Sequence, residues 1–172
     1  MPKQKFAALD TGFLLALAAG DGHCEAVVDW LGGANLYALV TPTVLQEIDD
    51  IERCEPQPDI QDLARRVRER LATWGFLKLP MSPVQHGIAR AIALKLIEKR
   101  ILPDEAHAEN DGLVIAESAL QECAVLVTER QTLTAIGVDI LRLALLESDV
   151  PDIFTITPSE IVAYIERNDP PQ

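Results

Sequence analysis

The segment from Asn110 to Arg130 constrains the fold more than any other part of this 172-residue chain. It sets a capped helix directly ahead of a short, wholly apolar run. Asn110 or Asp111 offers a short polar side chain that accepts from the free N–H groups of a helix's first turn. Gly112, Ala116, Ser118 and Ala119 keep that helix slim enough to lie close against a neighbour, and Leu113, Val114, Ile115 and Leu120 supply its apolar stripe. The pattern predicts a helix ending near Glu122, followed by a buried strand over Ala124–Val127. Thr128 then stands at the strand's C-terminal end, the edge along which open α/β sheets bind ligands. Asp111 at a helix start and Thr128 at a strand end are expected to face one crevice.

The rest of the chain repeats this alternation. Phe6–Leu9 reads as a first strand with Asp10 and Thr11 directly behind it, and Phe13, Leu14, Leu17 and Ala18 follow at helical spacing until Gly20. A second helix is expected over Glu25–Leu31 and a second strand over Leu36–Val40. Thr41 and Pro42 open the next helix as N-cap and first helical residue. On it Val44, Ile48 and Ile51 mark the inward stripe, and Glu47 falls on the same stripe. An inward carboxylate must be paired, protonated or bound to a cation.

Further along, Asp59 is a candidate cap for a helix lined by Ile60, Leu63, Val67, Leu71 and Trp74, and Leu77–Leu79 a candidate strand. Ser82 and Pro83 start a long helix to about Arg100, with Val84, Ile88, Ala91, Ile92 and Leu96 facing inward. A loop over Ile101–Glu109 returns the chain to Asp111. Leu133–Leu145 is ambiguous between a helix and a pattern broken at Gly137. Phe154–Ile156 reads as a last strand, followed by a helix capped at Thr157, and Asp169–Gln172 as a frayed tail. Strands alternating with helices imply an α/β fold: a three-layer α/β/α sandwich around a central, mostly parallel sheet. One domain over residues 1–172 is expected, with a helical elaboration around residues 56–75.

Charge and cysteine usage narrow the function. The formal net charge of −12 argues against an indiscriminate nucleic-acid binder. Its distribution is uneven, with Arg65, Arg66, Arg68, Arg70, Lys78, Arg90, Lys95, Lys99 and Arg100 set against only Glu69 and Glu98 between residues 65 and 100. Such a segment either holds a phosphate backbone or is an ordinary solvated helix face. Cys24, Cys54 and Cys123 are odd in number and lack metal-site spacing, which fits a reducing cytoplasm. Charges interrupt every apolar run, so no membrane span is expected, and Met1–Lys5 leads into the first strand without the apolar region of a signal peptide.

Three carboxylates thus hold privileged places: Asp10 after the first strand, Glu47 inward on the helix after the second, and Asp111 on the helix before the third. Clustered like charges repel unless a cation sits among them. Oxygen donors without His or Cys point to Mg²⁺ or Mn²⁺ rather than zinc. The Leu-Asp10-Thr11 step, the segment from Thr41 to Ile48, the segment from Asn110 to Ala116 and the later Leu-Val-Thr128 together resemble the PIN domain, the fold of many metal-dependent ribonucleases, including toxins of bacterial toxin–antitoxin pairs. That resemblance implies an Mg²⁺- or Mn²⁺-dependent endoribonuclease. Asp10 and Asp111 would be the main ligands, Glu47 would bind through water or orient the nucleophile, and Thr11 and Thr128 would donate hydrogen bonds. It also implies RNA as substrate, a protein antitoxin and a homodimer as partners.

One position departs from the family. Its usual acid two residues after the threonine is Arg130 here, and the nearest acid is Glu129, one residue early. Glu129 serves as a substitute ligand only if its longer side chain reaches into the crevice, because successive strand residues face opposite ways. Arg130 instead offers a permanent positive charge of its own. The competing reading is a PIN-like domain with weakened catalysis that binds RNA or protein. A phosphotransfer fold built on Asp10 is disfavoured, since Asp10-Thr11-Gly12 lacks a second aspartate at D-x-D spacing.

Overall fold

The computed structural model describes residues 5–103 and 106–168. Four strands form one sheet: β1 (Lys5–Leu9), β2 (Leu36–Leu39), β3 (Cys123–Val127) and β4 (Phe154–Ile156). Their order is β2-β1-β3-β4 and every pairing is parallel. A parallel sheet needs both faces covered, and the nine helices among the described residues supply that cover in a three-layer α/β/α arrangement. The chain steps from β1 to β2 on one side and later returns to β3 on the other. The direction of winding therefore reverses between β1 and β3, and a crevice is expected just beyond their C-terminal ends.

The first three helices follow from local signals. Helix α1 (Thr11–Ala19) is capped by Asp10 and stopped by Gly20 in the left-handed region, at φ 84°. Helix α2 (Gly22–Gly33) is capped by Asp21. Helix α3 (Pro42–Cys54) starts at Thr41, whose hydroxyl accepts from the Val44 N–H, with Pro42 at its first position. Its apolar face buries Val44 and Ile48 as the spacing requires.

Helix α4 (Pro58–Arg70) corrects the expected cap. Pro58 takes the first helical position, so Asp59 lies inside the first turn and Gln57 is the N-cap, without a side-chain bond. The strand expected over Leu77–Leu79 shrinks to one bridge, between Leu39 and Leu77. The Leu79 carbonyl accepts instead from the Gln121 side chain at 3.0 Å, so the ladder does not extend.

Helix α5 (Pro83–Glu98) starts at a capping box of Ser82 and Gln85, and it buries Ile92 and Leu96 as expected but not the other three residues of the expected stripe. Ala89, Ile92, Ala93 and Leu96 are buried, whereas Val84, Ile88 and Ala91 are exposed. The reason lies in helix α6 (Ala108–Leu120), which packs directly on α5. A Cβ built at Gly112 would lie 2.8 Å from the Ala93 Cβ and 2.9 Å from its Cα. Two small residues thus decide which side of α5 meets α6.

Gly112→Ala should therefore lower stability by about 1–3 kcal/mol, because the obstructing atoms belong to a helix backbone and cannot rotate aside. Gly87→Ala, in the same α5 with nothing within 4 Å, should be neutral or stabilising. Thermal denaturation of the two variants checks this. Equal midpoints would mean that α5 and α6 are not in close contact.

Helix α6 begins at Ala108, so Asn110 and Asp111 sit in its first turn rather than at the cap, and the expected loop over Ile101–Glu109 is shorter than drawn. The ambiguous stretch after Thr128 resolves into α7 (Gln131–Thr134) and α8 (Val138–Leu146), with Gly137 at the N-cap of α8. Helix α9 (Pro158–Asn168) opens with reciprocal bonds between Thr157 and Glu160. The tail expected at Asp169–Gln172 lies outside the described residues. Buried residues from Ala7 to Ile161 join one hydrophobic cluster. Among the described residues no helix is long and apolar enough to cross a membrane.

Candidate functional site

The crevice beyond β1 and β3 is built from Asp10 outward. Asp10 follows β1 directly, and its N–H donates to the Val127 carbonyl at 3.0 Å, which ties it to the end of β3. The residue is only 1% exposed. One carboxylate oxygen accepts from the Thr11 N–H at 2.6 Å and the other from the Thr128 hydroxyl at 2.6 Å. Both threonines expected at the site are therefore buried beside Asp10, each holding an acid in place.

Glu47 reaches the same point from α3. Its Oε2 accepts from the Thr11 hydroxyl and its Oε1 from Asn110 Nδ2 at 3.0 Å. Asp111 arrives from the first turn of α6, with Thr132 Oγ1 3.5 Å from its Oδ2. The structure thus brings Asp10, Glu47, Asp111, Thr11 and Thr128 together. Asn110 and Thr132 join them, and neither had an assigned role at the site in the sequence. Their signal was adjacency alone, Asn110 beside Asp111 and Thr132 two residues after Arg130.

Arg130 stands at the centre. The Thr128 hydroxyl, while donating to Asp10, accepts from the Arg130 N–H at 3.0 Å, which fixes the backbone where α7 begins. From there the guanidinium bonds to Asp111 through Nη1, lies 3.5 Å from Glu47 through Nη2 and 3.8 Å from Asp10 through Nε. One side chain reaches all three carboxylates. Glu129 is exposed and makes none of the bonds around Arg130; a Cβ built at Gly12 would lie 3.9 Å from its Cβ and 3.9 Å from Asp10 Oδ2.

Burial is the largest influence on both aspartates. It raises the Asp10 carboxyl above its ordinary range, against the Thr128 bond and the Arg130 charge, with Glu47 adding to the rise. Asp111 is raised in the same way, by burial first and Glu47 second, with Arg130 opposing. Burial works against the Arg130 charge too, but Asp10, Asp111 and Glu47 together outweigh it and hold its proton more firmly than usual. One guanidinium among three carboxylates leaves the crevice with negative charge in excess.

In the arrangement described, the acids converge on Arg130. Among the described residues no group of three or more His, Cys, Asp or Glu side chains is disposed to hold a metal ion. The donor chemistry nevertheless fits a hard divalent cation, since every side-chain donor around the guanidinium is a carboxylate oxygen. A metal held there would call on the same oxygens as the guanidinium.

The basic segment is largely spent on local partners. Arg65 and Arg68 both reach Glu52, Arg90 pairs with Glu109, and Lys95 and Lys99 meet Glu147. A recess of about 280 Å³ opens between α3, α5 and α6, lined by Gln46, His86, Arg90, Glu109 and Glu117 among others. Burial pushes the Cys24 and Cys123 thiols up to about 12, so neither is a nucleophile at neutral pH.

No family model matches this chain, and no curated protein matches it. A solved structure does: VapBC2 from Rickettsia felis bound to a DNA fragment from their promoter. The TM-score is 0.61 at 13% sequence identity, over 88% of this chain and 98% of that one. Identity that low carries the fold and not the chemistry. The chain has an α/β, PIN-like fold, similar to that of a chain in the VapBC2 structure.

Proposed function

We propose that this chain is a metal-dependent ribonuclease of the PIN type, the toxin of a toxin–antitoxin pair. The observation that carries the reading is the convergence of Asp10, Glu47 and Asp111, from three separate elements, within reach of a single side chain at the sheet's switch point. Such convergence costs folding free energy through burial and repulsion, which fits a site selected for chemistry.

Asp10, Glu47 and Asp111 would hold Mg²⁺ or Mn²⁺. Bound there, the ion would supply an activated water and charge neutralisation for attack on an RNA phosphodiester. Thr128 and Thr11 keep Asp10 and Glu47 aimed into the crevice. Asn110 holds the second oxygen of Glu47, so its carboxylate is fixed at both ends.

A protein antitoxin as partner belongs to the same proposal and is supported by the fold likeness to VapBC2. Homodimerisation and a cytoplasmic setting are proposed with it. The exposed apolar residues Val138, Ile140, Leu143 and Leu146 of α8 offer a face for a protein partner.

Arg130 favours a second reading, a PIN-like module that binds RNA or protein with its acids already paired to an internal cation. Incubation of the protein with single-stranded RNA in Mn²⁺ and in EDTA separates the two. The first reading expects cleavage in Mn²⁺ and none in EDTA. Binding that EDTA does not change, without cleavage, supports the second.

A further inference from the structure

We infer that Arg130 is a built-in counter-cation: its guanidinium and a divalent ion compete for the same three carboxylates, and the crevice takes up metal only as the guanidinium leaves. The inference rests on the ribonuclease reading and specifies how that site is controlled.

Four features lead to it. The guanidinium is within ion-pair distance of Asp10, Glu47 and Asp111 at once, so an ion bound by those acids displaces it. The backbone of Arg130 is pinned through Thr128, whereas its side chain is held by the three acids and has 29% of its surface open to solvent. That opening is an exit.

Charge favours exchange, because a single positive charge leaves three carboxylates two charges short of balance and a divalent ion leaves them only one short. The acids are also held unequally. Asp10 keeps its bonds from the Thr11 N–H and Thr128, and Glu47 keeps those from Thr11 and Asn110, whether or not Arg130 is present. Among the described residues the Asp111 carboxylate accepts, besides Arg130, the 3.5 Å contact from Thr132, with His107 acting on it through charge alone. Withdrawal of the guanidinium therefore frees Asp111 while leaving the other two acids in position.

The test is Mn²⁺ titration by calorimetry on the wild-type protein, Arg130→Met, Arg130→Lys and Arg130→Met with Asp111→Asn. Removal of the competing charge should tighten Mn²⁺ binding by about tenfold or more. Arg130→Lys, which keeps the charge, should stay near wild type, and the double variant should lose the gain.

Equal Mn²⁺ affinity in wild type and Arg130→Met overturns the competition and leaves the ribonuclease reading standing. Absence of Mn²⁺ binding in both folded proteins overturns the two together. If Arg130→Met does not fold, the arginine Nε–H signals of the wild-type protein decide by nuclear magnetic resonance. Saturating Mg²⁺ should move the Arg130 signal to the position of a solvated arginine, and an unmoved signal overturns the inference.

Discussion

Arg130→Met lowers the stability of the protein in EDTA at neutral pH by about 2–3 kcal/mol. Removing one partner of a buried ion pair commonly costs about 3–5 kcal/mol, because the remaining charge is left uncompensated. The estimate is reduced here because the guanidinium is partly exposed, at 29%. For a chain of this size the loss corresponds to a fall of roughly 4–12 °C in the thermal midpoint.

The loss depends on pH with a definite sign. Asp10 and Asp111 already sit above the ordinary aspartate value of 3.8, and without Arg130 both rise further. A carboxyl whose folded-state value exceeds its unfolded one contributes stability below the unfolded value, and loses it as pH rises through the folded one. The gap between variant and wild type should therefore shrink as pH is lowered towards 3.8. Thermal melts across pH check it. A pH-independent gap would assign the loss to packing, and no gap at all would place the side chain in solvent.

Asp10→Asn and Asp111→Asn should each reduce Mn²⁺-dependent RNA cleavage by at least about a hundredfold, the scale of losing a principal charge at a metal-assisted site. Their effect on stability runs the other way. Burial makes the ionised form of each aspartate costly, so a neutral amide of the same shape should leave the midpoint at neutral pH unchanged or raise it. Activity lost with stability kept is the signature of a functional acid. A fluorescent RNA cleavage assay beside thermal melts measures both. Cleavage retained in either variant would remove that aspartate from the chemistry.

Most of the architecture was legible because its signals are local. Thr41 with Pro42, and Ser82 with Pro83, announce helix starts by side-chain chemistry that the structure repeats. Asp10 could be placed at a sheet edge because an apolar run of four residues ends immediately before it. The failures share a cause: they depended on what packs against what. Helix α5 is apolar on several sides, so periodicity did not single out a face, and the choice came from Gly112 meeting Ala93. Asn110 and Asp111 looked like caps, but α6 begins at Ala108, with His107 as N-cap and no capping side chain. The departure at Arg130 was visible in the sequence. That its guanidinium would reach three carboxylates from α1's cap, α3 and α6 was a fact of tertiary geometry.

The claim that one crevice is shared by a guanidinium and a divalent ion is tested most directly by locating Mn²⁺ in the protein. Crystals equilibrated with Mn²⁺ at a concentration saturating the calorimetric titration should be measured at a wavelength where manganese scatters anomalously. The account predicts an anomalous peak bounded by the Asp10, Glu47 and Asp111 carboxylates, with the Arg130 side chain displaced towards solvent. Arg130 still bonded to Asp111, with no manganese peak between the three acids, would contradict it.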